Sequence, residues 1–115
     1  MDCLFCKIAN HEIPATIVAE NDYAIAFEDL YPVAPVHVLV VPKFHISNIM
    51  ELNDENLKYV AEIHKMIQEV AKIKNVDESG FRVITNFGED GGQTVHHLHY
   101  HVIGGKKLGP KIIHD

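Results

Sequence analysis

Three histidines, His97, His99 and His101, alternate with Leu98, Tyr100 and Val102. On an extended strand successive side chains take opposite faces, so the three imidazoles point the same way. The outer two lie about 13 Å apart at ~3.3 Å per residue, and the central one has a neighbour on each side. Imidazole is the side chain whose unperturbed pKa sits near neutrality, and it can be a nucleophile, a proton donor or a metal ligand. A row of three can divide those tasks. A solvated, tag-like run belongs at a terminus, whereas this row is embedded in apolar residues. A three-histidine metal site is also a poor match, because a third ligand in line on one strand suits tetrahedral geometry badly.

The segment before the row is Phe87-Gly88-Glu89-Asp90-Gly91-Gly92-Gln93-Thr94. Its glycines offer backbone N–H groups with little side-chain bulk, and Gln93 and Thr94 add an amide and a hydroxyl. Such a loop can cradle a phosphate without lysines. It matches neither the Walker pattern nor the dinucleotide fingerprint, so alone it reads as a strand connection. Beside three histidines it reads as an anion site.

Cys3-x-x-Cys6 is the other group with chemistry in it. A thioredoxin-like motif needs a preceding strand in a βαβ unit, and none precedes it. A disulfide is disfavoured in a reducing compartment. Zinc fits if two more ligands, histidines by preference, come from elsewhere in the chain. Two free thiols packing a short helix is the alternative.

The elements that must position these groups follow from pattern. The chain has 115 residues, 47% hydrophobic and 23% charged, which is one domain of ordinary globular make-up. Its formal charge is −6 and Arg82 is its one arginine, which argues against a broad surface for nucleic acid. No apolar run is long enough to span a membrane, and the N-terminus lacks the basic start and apolar stretch of a signal peptide, so a cytoplasmic protein is expected. Residues 3–10 suit a short helix. Thr16–Glu20, Tyr23–Asp29, Val36–Val41, residues 81–86 and Thr94–Ile103 suit strands, the third apolar enough to be central and covered on both faces. A long helix is expected over Asp54–Lys74 with Asn53 as its N-cap. Its apolar face includes Leu57, Val60, Ala61, His64, Ile67 and Ala71, and is wide enough that part could meet a second copy of the chain. His11 and His114 read as surface residues, and His64 as core or interface. Short connections between neighbouring strands predict antiparallel pairing and an α+β domain spanning residues 1–115.

Gln93-Thr94-Val95-His96-His97-Leu98-His99-Tyr100-His101-Val102-Ile103 resembles the signature of the histidine triad (HIT) family, His-φ-His-φ-His-φ-φ with φ apolar. The resemblance to the Hint branch runs along most of the chain. It includes Phe5, Lys7-Ile8, Glu12-Ile13-Pro14, Ala26-Phe27, Asp29, Pro35, His37, Val40-Val41-Pro42-Lys43, His45-Ile46, Asn86 and Gly91-Gly92-Gln93.

That resemblance implies a HIT-like fold, a homodimer and a purine nucleotide-binding hydrolase. In the Hint branch the reaction is cleavage of nucleoside 5′-phosphoramidates, such as adenosine 5′-phosphoramidate to AMP, through a nucleotidyl-histidine. Carried over, His99 is the nucleophile, His101 supplies or relays the proton to the amine, and His37 and His97 support them. Asn86, Gly92, Gln93 and Thr94 would hold the phosphate, and Asp29 the ribose hydroxyls. Leu4, Phe5, Ile8, Phe27 and Leu30 would form the slot for the base. Some relatives carry structural zinc, and the matching ligands here are Cys3, Cys6, His45 and His97; the well-studied animal members lack one or both cysteines and need no metal. The tail from Lys106 to Asp115 departs from the aromatic ending of animal relatives, which leaves the leaving-group preference open. A dinucleoside polyphosphate hydrolase of the same fold is the alternative enzyme, although those have Gln in place of the first triad histidine. A zinc-stabilised nucleotide-binding interaction module with little turnover is the alternative outside catalysis.

Overall fold

The computed structural model describes residues 3–110. The expected surface position of His114 and the last part of the tail lie outside them. The order is α1 (Leu4–Ala9), β1 (Ile17–Glu20), β2 (Ala24–Glu28), β3 (Val36–Pro42), a 3₁₀ turn (Ile49–Glu51), α2 (Leu57–Ile73), β4 (Phe81–Ile84) and β5 (Tyr100–Gly104). The five strands form one sheet in the order β1-β2-β3-β5-β4, every pairing antiparallel. This is the expected α+β arrangement.

The period-2 pattern explains the two layers. On β2 and β3 the side chains of Ala24, Ala26, Val36, Val38 and Val40 face one way, and join Ile63, Met66, Ile67, Val70 and Ala71 of α2 in the main core. Ile25, Phe27, Leu39 and Val41 face the other way and pack on Phe5, Ile8 and Ala9 of α1. Every residue of β3 is buried, as an apolar central strand requires. The α2 residues in the core recur at i, i+3, i+4, i+7 and i+8, one helical face. Leu57, Ala61 and His64, expected on a wide apolar face, are exposed.

The structure corrects three boundaries. The last strand begins at Tyr100, not Thr94. Continuing β5 backwards would set Leu98 against Pro42, which has no N–H to give. The Leu98 N–H instead donates to the Ile46 carbonyl (2.6 Å), and the Pro42 carbonyl is taken by the His97 ring (2.8 Å). His97 and His99 therefore sit on irregular chain, and only His101 stands on the strand. β4 stops at Ile84, because the Thr85 hydroxyl donates to the His99 carbonyl (2.8 Å) where a ladder bond would go. The long helix starts at Leu57. Asn53 caps the turn that leads into it: its Oδ1 accepts from the N–H groups of Glu55 (2.9 Å) and Asn56 (3.1 Å), while Asn56 Oδ1 accepts from the Asn53 N–H (2.8 Å).

Ile63 is fully buried between α2 and the sheet. Ile63→Ala should lower unfolding stability by about 2–5 kcal/mol, read from urea denaturation midpoints.

Candidate active site

Pairing aligns the site's residues. Phe27 sits opposite Leu39, and Leu39 opposite His101, so the three share a row across the sheet on the α1 side. His37 lies two residues before Leu39 on the same strand and face, diagonal to His101. α1 closes over this face. Its Phe5 ring meets Phe27 at 5.6 Å, His99 at 5.1 Å and His97 at 6.0 Å, all edge-on.

Between α1 and the sheet lies a cavity of about 280 Å³. Leu4, Phe5, Ile8 and Phe27 form an apolar end. Asp29 and Leu30 stand on the wall, with Thr94, His99 and His101 completing it. Nine residues predicted from the sequence thus meet around one space. Asn86, Gly92 and Gln93 are not on its wall. The Asn86 amide donates to the Gly91 carbonyl (2.7 Å), and the Gln93 amide to the carbonyls of Ser47 (2.8 Å) and Val95 (3.0 Å). Gln93 Oε1 accepts from the Gly88 N–H (3.1 Å). The N–H groups of Gly92 and Gln93 go to the carbonyls of Glu89 and Gly88, so they stabilise the loop's own turn instead of facing a ligand. Gly91 is required there: a Cβ would fall 2.1 Å from the Phe87 carbonyl oxygen. Sequence reasoning missed Ile13, Ala15 and Tyr31, which also line the cavity, and Leu39, which only the β3–β5 register reveals. Ile13-Pro14-Ala15, an apolar run before β1, was the available signal.

Hydrogen bonds to carbonyls fix the tautomers, since a carbonyl only accepts. His99 Nδ1 lies 2.7 Å from the His97 carbonyl, so the proton is on Nδ1 and Nε2 keeps its lone pair. His97 donates from Nε2 to Pro42, leaving its lone pair on Nδ1. The Val33 N–H donates to His37 Nδ1 (3.1 Å), so the His37 proton sits on Nε2, 2.9 Å from His101 Nδ1. His101 then carries its proton on Nε2. Within the cavity His99 offers a lone pair and His101 an N–H.

Burial lowers the pKa of His99, with the bond to the His97 carbonyl and the Asp29 charge opposing. Burial, then the neighbouring His99 and His37, holds His101 down at about 4. Both rings are neutral at pH 7.

His97 does not line the cavity. Its Nδ1 lies 3.2 Å from Cys3 Sγ and 3.5 Å from Cys6 Sγ, and Cys6 Sγ lies 3.2 Å from His45 Nδ1. The four donor atoms fall within 4.8 Å of one another. Tetrahedral zinc with bonds of about 2.3 Å to sulfur and 2.0–2.1 Å to nitrogen would hold N and S roughly 3.5 Å apart, so the set fits that ion. The Pro42 carbonyl on His97 Nε2 orients the ring for ligation through Nδ1. Burial and the Cys3 thiol push the Cys6 thiol up to about 11. A second group, Asp29, His37 and His101, is equally close. It does not suit a metal, because the Val33 N–H keeps the proton on the very nitrogen that would have to ligate.

The chain matches, over residues 2–112, the family model described as scavenger mRNA decapping enzyme C-term binding. It is 34% identical over 113 residues to the purine nucleoside phosphoramidase of Escherichia coli (strain K12), covering 98% of this chain and 95% of that one. It is 43% identical over 107 residues to an uncharacterized HIT-like protein of Synechococcus elongatus, covering 93% of each. Its structure superposes on a histidine triad protein from Clostridium difficile with a TM-score of 0.93, at 54% identity and 97% coverage of each chain.

His101 binds its extra proton less readily folded, at about 4, than unfolded, near 6.5. Its contribution to stability is present above pH 6.5 and is lost as pH falls toward 4, where the unfolded chain takes up the proton first. Urea midpoints measured from pH 7.5 to 4.5 should fall, and fall less steeply in His101→Gln.

Proposed function

The chain belongs to the histidine triad family of nucleotide hydrolases, and from that premise we propose that it is a nucleoside 5′-phosphoramidase acting on purine nucleotides. The observation that carries this reading is the pairing of a lone pair on His99 Nε2 with an N–H on His101 in one cavity that also has an apolar end. The base enters between Phe5, Ile8 and Phe27. Asp29 accepts from the ribose hydroxyls. The α-phosphate lies against His99 and His101, with the Thr94 hydroxyl in reach of its oxygens. An anion so placed favours protonation of His101, because opposite charge nearby stabilises the charged imidazolium.

His99 Nε2 attacks the α-phosphorus and the P–N bond breaks, its electron pair leaving with the amine. His101 gives that amine its proton. Water then attacks the nucleotidyl-histidine, releasing the nucleoside monophosphate and restoring His99. Dividing one displacement into two easier steps is ordinary covalent catalysis. The His97 carbonyl supports both steps by holding His99 in the reactive tautomer. The His37 N–H holds His101, while the site is empty, with its proton on Nε2.

Cys3, Cys6, His45 and His97 would hold a structural zinc, which would clamp α1 to the segment that carries the triad. Both cysteines lie outside any disulfide, in keeping with a reducing cytoplasm. We also read the protein as a homodimer. Leu57, Ala61 and His64 on α2, with Phe81 and Val83 on the edge strand β4, are exposed and would be the face a second copy covers.

The test is AMP release from adenosine 5′-phosphoramidate. The wild type should turn over, and His99→Ala should lose at least about 10³-fold in kcat while still binding AMP. A folded wild type that binds AMP without releasing product from this substrate would overturn the phosphoramidase reading, leaving a binding module or a phosphoanhydride substrate. Metal analysis of the same preparation should find one zinc per chain, lost in Cys6→Ser.

A further inference from the structure

Between two residues of the cavity wall, Asp29 and His101, one N–H stands with an acceptor on each side. The His37 proton is on Nε2, because its Nδ1 accepts from the Val33 N–H. That Nε2 lies 2.9 Å from His101 Nδ1 and 3.3 Å from Asp29 Oδ2. A single proton serves one of them well at a time. The carboxylate is itself anchored: Asp29 Oδ1 accepts from the Tyr31 N–H (2.8 Å), and the Asp29 N–H donates to the His37 carbonyl (3.0 Å). Asp29 and His37 are therefore tied to each other through main chain and brought together by side chain.

The two positions of this proton have different chemical meanings. While it points at His101 Nδ1, His101 is neutral and holds its proton on Nε2. A neutral imidazole cannot give that proton to an amine without becoming an anion. To act as an acid His101 must carry protons on both nitrogens, and then Nδ1 cannot also receive the His37 N–H. The proton of His37 has to turn elsewhere, and Asp29 Oδ2 is beside it.

We propose that Asp29 is a positioning residue for His101: its carboxylate takes over the His37 N–H and so lets His101 hold a proton on each nitrogen when a phosphate group enters. This role is separate from holding ribose, and the step it serves rests on the phosphoramidase reading. In that step the bond from His99 Nε2 to phosphorus forms and the P–N bond breaks. The amine nitrogen keeps the electron pair and takes the proton from His101 Nε2. His101 is left neutral, now with its proton on Nδ1 and a lone pair on Nε2. When water attacks phosphorus and the bond to His99 breaks, its electrons return to His99 and the water proton goes to His101 Nε2. The ring that served as acid in the first half is thereby set as base for the second. The charged or titratable groups facing His101 are His99 from the segment before β5, His37 from β3 and Asp29 from the loop after β2. α1 brings the apolar side chains of Leu4, Phe5 and Ile8 to this space.

Asp29→Asn separates the roles. The Tyr31 N–H would hold the amide oxygen where Oδ1 now lies, turning the NH₂ toward the His37 N–H, donor against donor. Titration of the ligand-free protein, followed through the imidazole ¹⁵N shifts of His101, should show its midpoint about one unit lower in Asp29→Asn than in wild type. Asp29→Ala, which also lacks the second acceptor, should shift the same way and serves if the amide variant does not fold. Coincident curves would overturn the proposal. Turnover gives an independent reading. With adenosine 5′-phosphoramidate Asp29→Asn should lower kcat and raise KM. With the 2′,3′-dideoxy analogue, where no ribose hydroxyl remains to be held, the kcat deficit of roughly 10²-fold should persist. Its disappearance with the dideoxy substrate would reduce Asp29 to a ribose contact and overturn the proposal. Failure of wild type to release product from either substrate would overturn the phosphoramidase reading instead, while the ligand-free titration still decides the role of Asp29.

Discussion

The hydrogen bond from His97 Nε2 to the Pro42 carbonyl is the interaction from which the rest of the site follows. Pro42 has no N–H to extend the β3–β5 ladder, and its carbonyl is occupied by an imidazole instead of a backbone donor. The chain before Tyr100 is thus released from the sheet and held by a side chain. That same bond puts the lone pair of His97 on Nδ1, beside the two cysteine sulfurs. The carbonyl of His97 then takes the Nδ1 proton of His99. One residue thereby faces a cluster of soft donors with its ring and sets the reactive nitrogen of its neighbour with its backbone.

The sheet supplies the rigidity this arrangement needs. β3 is buried along its whole length, with α2 on one face and α1 on the other. His37 and His101 stand on adjacent strands whose pairing fixes their separation, so the 2.9 Å contact between them is a matter of register. Residues on strands are placed more firmly than those on loops. The two groups whose protonation must be managed are therefore on strands. The loop after β2 is bound back to β3 through the bonds between Asp29 and His37 and from Val33 to His37.

Much of this was legible in the sequence, for reasons that differ from residue to residue. The strands of the apolar centre could be read because period 2 is the direct imprint of a two-faced sheet, and α2 because its buried positions repeat at helical spacing. The triad could be read because its residue types are rare in such density. The division of labour within it depends on where β5 begins. The alternation of His97, His99 and His101 suggests one face and one function, and nothing local says that a proline four positions past Val38, on another strand, ends the pairing. The glycine loop offered free N–H groups on paper, but a tight turn satisfies its own donors first. Leu39 and Tyr31 belong to the cavity through register and through a loop's path. Neither leaves a mark at the position itself.

α1 has six residues, far fewer than the ~12–15 an isolated helix needs to be even marginally stable in water. Its helical state depends on what it touches: the sheet beneath it and the thiols at its start. Three of those six, Leu4, Phe5 and Ile8, also line the apolar end of the cavity. Fraying of this helix and loss of the cavity's wall are one event, and it costs far less than opening the sheet. In the metal-free protein hydrogen exchange at α1 would therefore outpace exchange at β3, and a nucleotide bound beneath the helix would protect amides it never contacts.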